Sequence, residues 1–149
     1  MAKAGFPRLV SIGYEGRDVR QLVERLKLER VDVLVDVRLT PLSRKPGLSK
    51  TKLAAALADS GIAYVHHRAL GNPKDNREGY RSGIAESFGR FRAVLESEQG
   101  QSAVGHVVKM LDDAVVALLC FERDHRSCHR DLVASAVGEL LPNLAVSHI

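Results

Sequence analysis

Tryptophan is missing from this chain, and aromatic residues make up only 5% of it. That scarcity removes the stacking platform on which single-stranded nucleic acid is held without regard to sequence. Cysteine is nearly as rare: the two present, Cys120 and Cys128, form no dense extracellular pattern. They point to a reducing compartment and free thiols, so no structural disulfide is expected. No apolar run approaches the roughly 20 residues needed to cross a bilayer, and the N-terminal MAKAGFPRLV lacks the apolar middle of a secretory signal. A cytoplasmic protein with no membrane partner is the expectation. SIGYEG has glycines at positions 13 and 16 but lacks the third glycine of a dinucleotide fingerprint and the lysine of a phosphate loop. Nicotinamide binding and nucleotide hydrolysis are discounted, and no cofactor is expected.

What is present is enough apolar residue, 45%, for one domain over residues 1–149 that buries about two thirds of its unfolded surface. The formal charge is +4, which permits a phosphate-bearing partner without demanding one. The cations are unevenly placed, because Arg38, Arg44, Lys45, Lys50, Lys52, Arg68, Lys74, Arg77 and Arg81 crowd the middle third. RLVSIG from Arg8, VDVLVDV from Val31, IAYVHH from Ile62, AVVALLCF from Ala114 and LAVSHI from Leu144 read as strands. Val19, Leu22, Val23 and Leu26 recur at helical spacing behind an Asp18 cap, and SKTKLAAALADSG offers a Ser49 cap, Leu53 and Leu57 on one face, and a Gly61 stop. One or two helices span Ile84 to Asp112 with a break near Gly100, and another starts at Ser127 or Cys128. The polar stretch between Arg68 and Ser82 reads as a long loop, a lid or a surface that orders over a partner. Strands alternating with helices give a three-layer α/β fold of Rossmann-like topology. Its mostly parallel five-stranded sheet has helices on both faces, joined by right-handed crossovers.

In such a sheet the loops after every strand emerge along one edge, where ligands bind. That edge collects Asp36, Arg38, His66, His67 and the stretch from Glu122 to Arg130. In SCHRDLVA, Ser127, Cys128, His129 and Arg130 sit at the expected first turn of a helix, whose unpaired N–H groups and positive dipole end favour an anion and lower a thiol pKa. The plainer alternative is a Ser127 cap with Cys128 packed inward. Cys120, at the end of the most apolar strand, reads as inert core. In VDVRLTPLSRK, Asp36 is either a base or orienter, or the structural partner of an arginine. Arg38 and Arg44 are candidate bidentate clamps for phosphate or carboxylate. A metal site from Cys120, His125, Cys128 and His129 fits none of the paired-ligand zinc spacings, so no metal is assigned.

The ordered set SIGYEG, LVDVRLTPLSR, GIAYVHHRALG, ALLCFE, SCHR and VSHI resembles the domain-of-unknown-function family DUF488 over Leu9 to Ile149. The resemblance places characteristic positions on Gly13, Asp36, Arg38, Pro41, Ser43, Arg44, His66, Leu70, Gly71, Cys120, Glu122, Cys128, His129, Arg130 and His148, and departs at Asn72, where a second glycine is common. It implies a three-layer α/β fold and names no reaction. DVR at a strand end also has a local likeness to rhodanese-like domains, with different spacing. The resulting expectation is an anion pocket at the carboxyl edge using Arg38, Arg44, Arg130 and Ser127. Asp36, His66, Glu122 and His129 are the candidate proton-transfer or orienting groups, Cys128 is the candidate nucleophile if the site does covalent chemistry, and Asp36 stands beside Arg130. Two alternatives remain open: a non-catalytic nucleic-acid-binding module built on the basic middle third, and a metal-dependent enzyme with Cys/His ligands. The sequence does not give the oligomeric state.

Overall fold

A computed structural model of the chain describes residues 7–149. Residues 1–6, which hold most of the stretch read as lacking a signal sequence, lie outside the described residues. Five strands form one parallel sheet: β1 (Arg8–Gly13), β2 (Val33–Asp36), β3 (Ala63–His66), β4 (Val116–Cys120) and β5 (Ala145–His148), in the order β3-β2-β4-β1-β5. The helices are α1 (Val19–Leu28), α2 (Lys50–Asp59), α3 (Arg77–Arg81), α4 (Ala85–Glu96), α5 (Glu98–Met110) and α6 (Arg130–Leu140). This is the expected three-layer α/β fold. Among the described residues, no helix is long and apolar enough to cross a membrane.

Alternation along the strands divides the interior in two. Leu9, Val35, Val37, Leu118 and Cys120 pack with Phe91 of α4, Val107 of α5 and Val133 and Val137 of α6. Val10, Ile12, Leu34, Ala117 and Leu119 pack with Leu22 and Leu26 of α1 and Leu53 and Leu57 of α2. The topology follows from handedness: the chain moves one way across the sheet through α1 and α2, then back through α3 to α6. Right-handed crossovers therefore put the two sets on opposite faces.

Local chemistry sets the element ends. Asp18 caps α1 through a capping box, accepting from Gln21 N at 2.8 Å while the Gln21 side chain accepts from Asp18 N at 2.9 Å. Ser49 precedes α2, but its hydroxyl serves the β2–α2 loop instead, accepting from Ser43 N at 3.0 Å and donating to Ser43 O at 3.2 Å. The long helical region breaks at Ser97, whose Oγ accepts from Gly100 N at 3.1 Å and starts α5.

Two expectations need correcting. The last helix begins at Arg130 rather than Ser127 or Cys128: His125–Ser127 form a separate 3-10 turn capped by Asp124, and Cys128 is extended (φ −121°, ψ 140°). The stretch from Arg68 to Ser82 is not an open loop, since it holds two 3-10 turns and α3 and buries Leu70 and Tyr80 in the α4–α6 core. Asn72 takes part in this anchoring, its Oδ1 accepting from Asn76 Nδ2 at 2.9 Å.

Candidate functional site at the carboxyl edge

The crossovers after β1 and β2 leave on one face and those after β3 and β4 on the other. Where such departures diverge, an open α/β sheet forms a crevice. A cavity of about 220 Å³ lies there, lined among others by Tyr14 after β1, Arg38 to Thr40 after β2, Cys120 to Glu122 at the end of β4, and Ser127, Cys128 and His129. Arg77, Tyr80 and Arg81 of α3 close its outer side. Gly13 permits the close approach of the two strand ends, because a Cβ there would run into the Glu122 carbonyl. A wider groove of about 630 Å³ beside α4 and α6 contains neither cysteine nor histidine.

Asp36 and Arg38 form one self-contained network. Asp36 is fully buried and accepts from Arg38 Nε at 2.9 Å, Arg38 Nη2 at 2.7 Å and Tyr64 Oη at 2.5 Å. Arg38 Nη1 donates to Leu48 O at 2.7 Å. Burial alone would weaken the Arg38 charge, but its bonds to Asp36 more than offset this and raise its pKa. The Tyr64 hydroxyl is raised too, first by burial and then by its bond to Asp36. His66 is drawn to the same place, its Nε2 donating to Arg38 O at 2.8 Å.

The Arg130 network lies on the other face of the sheet. Arg130 is fully buried; Nε donates to Ser11 Oγ at 2.7 Å, Nη1 to Glu122 O at 2.6 Å and to Cys120 Sγ at 3.1 Å, and Nη2 to Arg123 O at 3.3 Å. Burial lowers its pKa to about 10. The expected neighbourhood of Asp36 and Arg130 is therefore overturned by strand alternation. Asp36 shares parity with Leu34 and faces α1 and α2, whereas Ser11 shares parity with Leu9 and faces α6.

His129 joins the two halves. Its Nε2 donates to Val37 O at 2.7 Å, and Nδ1 lies 3.6 Å from Cys128 Sγ. The carbonyl can only accept, so Nε2 carries the proton and Nδ1 presents a lone pair to the sulfur. Burial, with the ring edge-on to Phe91 at 5.1 Å, lowers the His129 pKa to about 4 and keeps it neutral. The expectation of two unpaired cysteines is also corrected: Cys120 and Cys128 are joined, sulfur to sulfur. β4 delivers Cys120 to the face that α6 covers, and the extended backbone at Cys128 turns the second sulfur towards it.

Among the other residues read as candidates, Glu122 lines the cavity, with Oε1 3.2 Å from Arg81 Nη2 and Oε2 3.6 Å from Cys120 Sγ. Ser127 lines it as well, while Arg44 is exposed and does not. The sequence reading missed Arg77 and Arg81 as site residues because the helix that aims them, α3, read as loop. Cys120, marked by the family resemblance, was still read as inert core, because an apolar strand looks like core from within. Among the described residues, no hydrogen bond or ion pair engages the Arg77 guanidinium, which is half-buried at the cavity wall.

The four Cys/His residues considered for a metal separate into two groups. Cys120, Cys128 and His129 have ligand atoms within 4.8 Å of one another, as do His125, Asp131 and His148. The first group has the Arg130 guanidinium 3.1 Å from one sulfur, and that charge opposes a bound cation and favours an anionic sulfur. In the second, His125 Nδ1 already pairs with Asp131 Oδ1 at 2.8 Å and the His125 and His148 rings stack at 3.5 Å.

No curated protein and no solved structure matches the chain. One family does: the one described as Domain of unknown function DUF488 matches residues 18–137, from the Asp18 cap of α1 through Val137 of α6 and so across every wall of the cavity except Tyr14. With this span of sequence matched, the chain belongs to the DUF488 family.

Proposed function

We propose that the carboxyl-edge cavity binds a small anion bearing phosphate or carboxylate, and that Cys128 in its reduced form is the nucleophile of a reaction on that ligand. The observation that carries this reading is the arrangement of Cys128 and His129 beside Arg77. Once reduced, Cys128 faces the lone pair of a neutral imidazole whose tautomer Val37 O fixes, and the Arg77 guanidinium, engaged by no hydrogen bond or ion pair among the described residues, shares the same cavity. A nucleophile, its base and a group orienting the base form the general pattern of covalent catalysis. An arginine not consumed by a protein carboxylate is available for a ligand's oxygens. Arg81 adds a second guanidinium, offset in part by Glu122, and Arg38 faces the cavity with its charge already matched by Asp36. Asp36 and Arg130 act as positioning residues, and His66 ties the β2 loop to β3.

The reading is tested by titrating reduced protein with inorganic sulfate and phosphate while following amide chemical shifts. Saturable shifts confined to the Arg77 helix and the Ser127–Arg130 turn are expected, and Arg77→Ala is expected to weaken affinity at least about tenfold while leaving the fold intact. Wild-type affinity in Arg77→Ala would move the anion site elsewhere. The nucleophile role is read separately, from the rate at which iodoacetamide modifies Cys128. A rate no faster than that of a small free thiol at neutral pH removes the role while leaving anion binding in place.

A further inference from the structure

Cys120 and Arg130 have no chemical task in an anion site built on Cys128 alone, yet they are arranged for one. Arg130 is fully buried, and none of the groups it donates to is a carboxylate: they are Ser11 Oγ, two backbone carbonyls and the Cys120 sulfur at 3.1 Å. A buried guanidinium is costly without a counter-charge. Glu122, Asp131 and Asp124 offset part of that charge through space, and of its bonded partners Cys120 Sγ is the one that can ionise to complete it.

Each sulfur also has its own proton acceptor, Nδ1 of His129 at 3.6 Å from Cys128 Sγ and Oε2 of Glu122 at 3.6 Å from Cys120 Sγ. A cysteine that merely fills core needs neither an acceptor nor a cation. Joining two thiols releases two protons, and this site has two places to put them. Both cysteines line the same cavity, so a ligand in it can reach the pair.

From this geometry we propose that Cys120 and Cys128 are a working dithiol–disulfide pair that reduces a small disulfide carrying negative charge. The charge of the substrate, though not the pair itself, rests on the reading of the cavity as an anion site. Cys128 passes its proton to His129 Nδ1, and its thiolate attacks one sulfur of the substrate R–S–S–R. The substrate S–S bond breaks, the first RS⁻ leaves with that proton as RSH, and the other RS group stays on Cys128 Sγ as a mixed disulfide. Cys120, with its thiolate held by Arg130 and its proton on Glu122, then attacks Cys128 Sγ. The Cys120–Cys128 bond forms, the mixed disulfide breaks, and the second RS⁻ leaves as RSH with the proton from Glu122. Two electrons pass from the protein dithiol to the substrate, one disulfide is exchanged for another, and an external thiol reverses the exchange to restore the dithiol.

The experiment mixes fully reduced full-length protein with either dithiodiglycolate, a dianionic disulfide, or cystamine, a dicationic one. Samples are quenched in acid, alkylated, and read by intact mass and by the thiol released. Wild type is expected to lose two hydrogens, resist alkylation at both cysteines and release two thiols per chain. Cys120→Ser is expected to stop at a Cys128 mixed disulfide after releasing one. At low ionic strength dithiodiglycolate is expected to react about tenfold faster than cystamine or more. The pair is overturned if wild type keeps a stable mixed disulfide or two alkylatable thiols, or if Cys120→Ser releases the second thiol at the wild-type rate. If the pair closes equally fast with both reagents, the dithiol assignment is supported while the anionic substrate, and with it the anion reading of the cavity, is overturned. Cys120→Ala replaces the serine variant if that does not fold, and the wild-type count needs no variant.

Discussion

The side chain with the most matched chemistry here is the Asp36 carboxylate, and matching is what removes it from the list of acids and bases. A carboxylate that accepts from a guanidinium and a tyrosine inside a protein holds its neighbours in place and has no lone pair left in the cavity. The sequence could show that Asp36 needed a partner. It could not show that the residue two positions later would fold back to become it, because Arg38 leaves the strand direction just after β2 ends. Arg130 was misplaced for a related reason: its motif suggested a helix start facing the edge, but burial draws it under the sheet to Ser11. Breaking the Asp36 pair from one side should therefore cost stability before it costs chemistry. Asp36→Asn leaves a buried guanidinium without its anion, and a loss of about 3–5 kcal/mol in urea unfolding is expected. A loss below about 1 kcal/mol would mean that the Arg38 charge reaches solvent in the native protein.

At the scale of elements, periodicity was a good guide wherever a segment had one face to bury. Strand β1 is the RLVSIG run with the same ends, and α1 follows its cap as read. Asp18→Ala should cost about 1 kcal/mol of stability without altering anion affinity, since it removes the acceptor for Gln21 N and neither residue lines the cavity. Equal losses in both measurements would tie α1 to the site. Where elements are short and polar the pattern fails. The five residues of α3 have too few turns to show a face, and what anchors them is tertiary, with Tyr80 buried edge-on against Phe88 at 4.6 Å. Ser127 has the right chemistry for a helix cap and is still not one, because Asp124 caps the earlier 3-10 turn and takes that segment out of the helix. Cys128 then stands in extended backbone with its sulfur turned to Cys120, a placement that no helical reading of SCHR could give.

The whole molecule decides which edge chemistry converges. The parallel sheet, legible from the alternation of strands and helices, put the loops on one edge. The position of β4 between β2 and β1 was not legible, since no local pattern fixes strand order. That order sets Cys120 and Glu122 between the ends of the other two strands and makes the cavity. Of the basic middle third, Lys45 Nζ is taken up by Tyr14 O at 3.2 Å and Arg17 O at 3.0 Å and Arg38 by Asp36, while Lys50, Lys52 and Lys74 are exposed. Any affinity for duplex or single-stranded nucleic acid should therefore be weak and nonspecific, vanishing between about 50 and 200 mM salt in a filter or polarisation assay. Tight binding that persists across this range would restore the nucleic-acid alternative.

Placing a histidine where the halves of the molecule meet gives folding stability a pH dependence of known sign. His129 is neutral in the folded protein with a pKa of about 4, mainly because burial disfavours the imidazolium. The unfolded chain has the ordinary 6.5. Between these values the unfolded state binds the extra proton and the folded state does not, so stability falls as pH drops through this window and is fully present above it. The full difference corresponds to about 3 kcal/mol. His67 and His148 are also lowered, each first by burial, and they push in the same direction from more exposed positions where water screens the effect. Urea unfolding of reduced protein at about pH 7 and about pH 5 should show the loss, and His129→Gln, which cannot titrate, should be less stable at neutral pH but show a flatter profile. If the variant loses as much stability as wild type on acidification, the proton is taken up elsewhere. His129 would then not be the neutral base on which the chemistry assigned to Cys128 depends.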